Sequence, residues 1–376
     1  MNKKRSGIYI HIPFCRKKCF YCDFYSEEIS SKNNLSEYTD KVVYQLGKRW
    51  NELNSAEIIS IYIGGGSPSL LGIKNVKKIT QFFKEKGIVF KDIEFTMEVN
   101  PQDVAGEILE ALKSEGINRL SIGIQAFDEK TLFEMGRMSQ TLDIEKALSL
   151  IKEYFTNFSI DIIYGIGKER DLEKELCSIF SMAIPLHVSA YAYSPPERVS
   201  APEQLVDEDA EFQQNRIRDF LVRKGFERYE VSNYSVKGKE SVHNKIYWNY
   251  GSWLGIGAGA HSFSRNKREY SFYSDDLGDF MKDQGLSRYY PTVEEQVKEF
   301  LLMGLRLAKG ISLHEFEDFF QKSFRCFFDI KSIETLVKER FCKMNEESLK
   351  CTDKGLDFLN YVLIKLFENM KEQSGC

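Results

Sequence analysis

Six times between residues 7 and 194 a short apolar run alternates with a helix-patterned segment, and this rhythm leaves the chain very few architectures. The runs cover 7–14, 58–64, 94–100, 119–125, 158–165 and 187–194, each bounded by turn signals. They are mostly near-continuous, the pattern of parallel strands covered on both faces. Helices between them show i, i+3, i+4, i+7 spacing, clearest at Ile144, Ala147, Leu148 and Ile151, and again at Val76, Ile79 and Phe83. An α/β fold follows, either an open doubly wound sheet or a barrel. In both, the C-terminal strand ends carry the binding site.

The rhythm stops at Pro195, Pro196 and Pro202. An acidic helix over 206–223, a strand-like 226–231 and a tight turn at Gly255, Gly257 and Gly259 come next. The polar, turn-rich stretch 265–290 reads as a linker. A capping box, Thr292 to Glu295, then opens a helix with Val293, Val297, Phe300 and Leu301 on one face. The expected division is 1–264, a core with a sheet extension; 265–290, the linker; and 291–376, a small, mainly helical domain. The run Phe316, Phe319, Phe320, Phe324, Phe327 and Phe328 reads as that domain's packing core.

Apolar residues make up 42% of the 376 and charged residues 29%, which is a globular balance. Lys+Arg 52 against Asp+Glu 56 leaves −4, so nucleic acid is not an expected partner. No run approaches the roughly 18 apolar residues that span a bilayer. Lys3, Lys4 and Arg5 precede an apolar run, but His11 and Pro13 interrupt it and no small-residue cleavage site follows, so a cytoplasmic protein is expected. Eight cysteines are too few for a disulfide scaffold. Cys15, Cys19 and Cys22 cluster, whereas Cys177, Cys326, Cys342, Cys351 and Cys376 are scattered.

The cluster is a CxxxCxxC motif directly after the first strand, so three thiolates can converge at the sheet's C-terminal face. A structural zinc wants four closed ligands, and His11 or Asp23 would have to complete such a site. Three thiolates on a 4Fe–4S cluster instead leave one iron open to an exogenous ligand.

CxxxCxxC after the first strand of a six-fold βα pattern resembles the radical S-adenosylmethionine (SAM) enzymes. The resemblance implies a partial (β/α)6 TIM-like barrel with a C-terminal mainly helical domain. It also implies a 4Fe–4S cluster on Cys15, Cys19 and Cys22, with SAM chelating the open iron and cleaved there by one electron. Within that superfamily the polar residues at the strand ends are similar to those of the oxygen-independent coproporphyrinogen dehydrogenase-like proteins. The similarity implies SAM contacts from Tyr9, Tyr21, Gly65, Gly66, Ser67, Glu98, Gln125, Arg137 and Asp161. Two departures are visible: Ser67 stands for the usual Thr, and Gly167 for the usual Pro.

Phe24 occupies the place of the fourth cysteine of the true dehydrogenases, whose CxxxCxxCxC carries radical oxidative decarboxylation in porphyrin synthesis. That departure, with His11 to Cys15, Cys22-Asp23-Phe24 and His243-Asn244-Lys245-Ile246-Tyr247-Trp248, resembles the HemW-type heme chaperones. Catalysis is left open by this pattern. The residues add their own logic: an imidazole can ligate heme iron, and Tyr247, Trp248 and Tyr250 offer flat apolar faces. The expected heme contacts are therefore His243, Tyr247 and Trp248, with His261 a rival and His187 and His314 structural. Arg16, Lys17 and Lys18 add charge to the cluster loop. The partners this resemblance implies are heme, acceptor hemoproteins including membrane respiratory enzymes, and an electron donor such as a flavodoxin or ferredoxin, with room for a homodimer.

Overall fold

The computed structural model describes residues 5–30, 34–53, 55–195, 204–368 and 370. Lys3, Lys4, Pro196, Pro202 and Cys376 lie outside the described residues. The six apolar runs form β1 (Arg5–Ile12), β2 (Glu57–Gly65), β3 (Glu94–Val99), β4 (Arg119–Gln125), β5 (Phe158–Tyr164) and β6 (His187–Ala192). They pair in that order, all parallel. The helices that connect them, α1 (Leu35–Arg49), α2 (Gly72–Glu85), α3 (Gly106–Ser114), α4 (Glu129–Glu134), α5 (Thr141–Tyr154) and α6 (Leu172–Met182), have their apolar stripes in the main core. Ile144, Ala147, Leu148 and Ile151 of α5 are buried there, as are Val76, Ile79 and Phe83 of α2.

The strands are less uniformly apolar than their sequence suggests. Because side chains alternate along a strand, one set, including Ile8, Ile10, Ile61, Ile63, Phe95, Met97, Leu120, Ile122 and Ile160, packs in the main core. The other set is polar: Ser60 and Tyr62, Thr96 and Glu98, Arg119 and Ser121, Ser159 and Asp161, His187 and Ser189. Members of this second set from five successive strands, β2 to β6, line a single cavity, which requires the sheet to curve around it as a partial barrel.

Beyond β1 the sheet continues through β9 (Ser252–Ile256), which is parallel to it, and then through antiparallel β10 (His261–Ser264), β11 (Glu269–Tyr273) and β12 (Leu286–Tyr289). At the other edge β6 pairs antiparallel with β8 (Asn233–Ser235), which pairs with β7 (Glu227–Arg228). Residues 265–290, expected as a linker, thus contribute the last two strands at one end of the twelve-stranded sheet, joined by a short helix. Their polarity conceals this because the buried polar groups are bonded: Arg49 donates to Ser271 Oγ at 2.7 Å, and Glu269 accepts from Arg288 and Tyr290. Gly255 lies within β9 and not in a turn; a methyl group there would stand 2.0 Å from the carbonyl oxygen of His261.

The C-terminal region begins at α10 (Val293–Gly304) with both arms of the predicted capping box in place. Phe316, Phe320, Phe324, Phe327 and Phe328 are buried in a second core, which also receives Tyr250 and Phe263 from the main sheet's side. Helices dominate here, accompanied by a small antiparallel sheet of Ile311–Ser312, Ser348–Cys351 and Cys342–Met344. Among the described residues no helix is long and apolar enough to cross a membrane.

Candidate functional site

The cysteine loop is held at both ends. At its base Phe14–Cys15 pairs with Glu27–Glu28, and the amide of Ile29 donates to the Cys15 carbonyl at 2.7 Å. Further along, the Phe20 amide donates to the carbonyl of Met135, just past α4, at 3.0 Å. The turn after β2 runs beside Cys15: Gly66 N donates to Ile12 O at 2.8 Å and Ser67 N to Phe14 O at 2.7 Å. A methyl group at Gly66 would stand 2.7 Å from Phe14 O and 3.0 Å from Cys15 Sγ, so only glycine lets the cysteine come this close. Ser67 Oγ lies 3.8 Å from that sulfur and accepts from Asn100 Nδ2 at 2.8 Å.

All three cysteines face a cavity of about 400 Å³. The same cavity is lined by Tyr21, Gly65, Gly66, Ser67, Glu98, Gln125, Arg137 and Asp161, eight of the nine positions expected to meet SAM. Tyr9 stands apart, its hydroxyl bonded to His11 Nδ1 at 2.8 Å. Glu98 accepts from Tyr62 OH at 2.8 Å and from Gly65 N at 3.0 Å, and burial pushes its carboxyl up to about 7. Burial also raises Asp161, which accepts from Ser121 Oγ at 3.2 Å. The Cys22 thiol is pushed up to about 11, again by burial.

Arg137 is the organiser of the upper wall. Its Nη1 reaches Tyr21 OH at 3.4 Å and Cys19 Sγ at 3.9 Å, its Nη2 reaches Asn100 Oδ1 at 3.2 Å and the Gly123 carbonyl, and among the described residues its buried Nε has no partner. Gln125 ends β4 in the left-handed region, φ 70°, at an irregularity in the β4–β5 register. Such a conformation in a non-glycine residue stores strain, here against the site wall. Arg170, itself ion-paired to Glu175, holds the Gln125 carbonyl at 3.2 Å.

A single-ion site is a poor match for these donors. Among the described residues no group of three His, Cys, Asp or Glu could hold one metal ion. His11, a proposed fourth zinc ligand, has Nδ1 on Tyr9 and Nε2 on the Tyr25 carbonyl at 2.8 Å. Three thiols opening onto a large cavity, with a guanidinium beside one of them and an orphaned buried Nε, fit a larger anionic centre with a ligand of its own.

Comparison with known proteins agrees. The radical SAM superfamily model matches residues 9–178 and the HemN C-terminal domain model residues 292–358. The heme chaperone HemW of Buchnera aphidicola subsp. Acyrthosiphon pisum (strain APS) is 31% identical over 371 residues, covering 95% of this chain and 97% of that one. The chain belongs to the HemW family of radical SAM proteins. The HemW family's heme chaperone from Bacillus subtilis (strain 168) is 28% identical, with coverage of 93% and 96%. A mitochondrial radical S-adenosyl methionine domain-containing protein 1 from Bos taurus is 27% identical, with 99% and 88% covered. The fold is that of coproporphyrinogen III oxidase (HemN) from Escherichia coli, with a TM-score of 0.81 at 19% identity over 96% of this chain and 90% of that one. Radical SAM membership implies a 4Fe–4S cluster and SAM, and the cavity's donors suit both.

The expected heme contacts lie elsewhere. His243, in α8 (Val242–Trp248), is 1% exposed; its Nδ1 is 2.7 Å from Ser60 Oγ and its Nε2 2.7 Å from Tyr247 OH. Burial pushes the ring down to about 3, so it is neutral. An accessible axial imidazole is therefore not what this conformation offers: iron coordination requires breaking one of these bonds and moving α8. Tyr247 packs edge-on against Trp253, and Trp248 lies beneath the guanidinium of Arg306. His187 bridges Ser159 and Tyr229 and lines the cavity. His261 stacks on Phe272.

Several cavity residues escaped the sequence reading. Asn100 links Ser67 to Arg137, Tyr62 holds Glu98, and Arg119, 2% exposed, is a buried cation at the start of β4. The signal that finds them is the polar member of each apolar–polar alternation. Asn100 lies two positions from Glu98 and Arg119 six from Gln125, both singled out for their strand-end positions.

Proposed function

We propose that this chain is a heme chaperone of the radical SAM type, which takes up heme and delivers it to acceptor hemoproteins. Its acceptors include membrane respiratory enzymes, approached from the cytoplasm, and its cluster receives electrons from a flavodoxin- or ferredoxin-class donor; two copies associate during transfer. Cys15, Cys19 and Cys22 hold the cluster. Tyr21, Gly65, Gly66, Ser67, Glu98, Gln125, Arg137 and Asp161 hold SAM, and Tyr9 is a strut that fixes His11 beneath the Gly-rich turn. The cluster with SAM bound supplies one-electron chemistry. Around it the chain's own residues do the positioning: the Gly65 amide orients the Glu98 carboxylate, which is able to accept hydroxyl donors, while Arg137 fixes the Cys19–Tyr21 segment against β4.

The observation that supports this reading is one cavity lined by three cysteines and by eight of the nine positions expected to meet SAM, with Phe24 in place of a fourth cysteine. The test uses one anaerobically reconstituted preparation. Heme binding, seen as a Soret band, followed by transfer to an apo-hemoprotein is the expected result. Conversion of coproporphyrinogen III propionates to vinyl groups by the same preparation would overturn it in favour of a dehydrogenase.

A further inference from the structure

The mouth of the cavity breaks the pattern of the rest of the barrel. Val99, Ile163 and Tyr193, apolar residues that line the cavity, are buried, yet Phe24 is 65% exposed and Met138 52% exposed where they border the opening. They sit on separate segments, the cysteine loop and the stretch after α4, joined through the Phe20–Met135 hydrogen bond and by Phe20 packing on Gly136. Isolated exposed apolar residues need no explanation, but two that converge on one opening, with Phe20 40% exposed nearby, do.

Charge accompanies them. Lys17 and Lys18 line the same opening. Lys17 Nζ lies 5.6 Å above the Phe20 ring, and Lys18 Nζ donates to the Phe24 carbonyl at 2.9 Å. Arg16 differs, being held by Asp103 at 2.9 Å. The lip therefore presents apolar faces edged by two ammonium groups. That surface complements a flat, apolar molecule with carboxylate arms.

We propose that Phe24, Met138, Lys17 and Lys18 form the docking site for heme at the cavity mouth. The ring face lies on Phe24 and Met138, and the propionates meet Lys17 and Lys18. This rests on the chaperone reading and deepens it. Phe24 is then more than a missing cysteine: the residue that departs from the dehydrogenase pattern supplies the main contact for the cargo. The dock also requires nothing of His243, whose ring nitrogens are both engaged.

The experiment titrates hemin, and separately iron-free protoporphyrin IX, into the reconstituted full chain and into Phe24→Ser, Met138→Ser and Lys17→Glu, each checked for cluster absorbance. Removing a ring-face contact is expected to weaken both ligands by about tenfold or more. The lysine reversal is expected to weaken protoporphyrin IX but not its dimethyl ester, titrated beside it. Because Met138 lies outside the cysteine loop, its variant reports on the dock even where Phe24→Ser fails to hold a cluster. Unchanged affinity in the variants, with the parent binding hemin, overturns the dock and leaves the chaperone reading standing. A parent that binds neither porphyrin overturns both.

Discussion

Replacing His243 by alanine separates a structural imidazole from a heme ligand. The ring bridges Ser60 Oγ and Tyr247 OH at 2.7 Å on each side, in a place where Ser60 is wholly buried. Alanine leaves Ser60 without that partner at a cost of about 1–3 kcal/mol, and the hole left by the ring adds about 1–2 kcal/mol. Tyr247 is half-buried, so its hydroxyl can turn to water and contributes less. The sum is about 3 kcal/mol. With a urea dependence of about 3 kcal/mol per molar, the upper end for small proteins, the midpoint falls by about 1 M. The assay is urea unfolding of cluster-free protein followed by circular dichroism, beside a hemin titration of the reconstituted form. The reasoning here expects the midpoint to fall and hemin affinity to survive. An unchanged midpoint with lost hemin binding would show that α8 opens to present the imidazole as a ligand, refuting it.

Glu98→Gln should become progressively more stable than the parent as pH rises from 5 to 8. A carboxyl raised to about 7 in the fold carries its penalty in full above that pH and loses it as pH falls toward the ordinary carboxylate range, so the gain reaches about 3 kcal/mol. Denaturation midpoints across that range check it, and a pH-independent difference contradicts it. Arg137→Ala removes the donors shared by Asn100, Gly123, Tyr21 and Cys19 and should lower the melting temperature by about 3 °C or more, with loss of the SAM-induced change in the reduced cluster's electron paramagnetic resonance spectrum. Gln125→Gly relieves φ 70° and should stabilise the cluster-free protein by about 1 kcal/mol in urea while weakening SAM binding, because the amide leaves the cavity wall.

Much of the site was legible because strand ends are marked in sequence. Glu98, Gln125 and Gly65 sit where an apolar run gives way to a turn, and parallel strands must carry those ends to one face. The floor was not legible. Tyr62, Arg119 and His187 lie within or at the start of apolar runs, where hydropathy averages over them; only folding shows that alternate residues point inward. Residues 265–290 misled for a related reason, since Glu269 and Ser271 are buried polar groups whose partners, Arg288, Tyr290 and Arg49, come from other segments. His243 is ambiguous in the opposite way: a histidine among aromatics has the composition of a heme pocket and of a packed helix alike, and the ring's partner in the fold is Ser60, 183 positions away.

The pairing of β1 with β9 has a consequence for biosynthesis. Ser6 stands opposite Ser252, so one flank of the strand that leads into the cysteine loop has no neighbour until the ribosome has made about two-thirds of the chain. At elongation rates of roughly 5–20 residues per second, that edge waits about 12–50 s. Metallation before β9 is made would meet a half-built cradle.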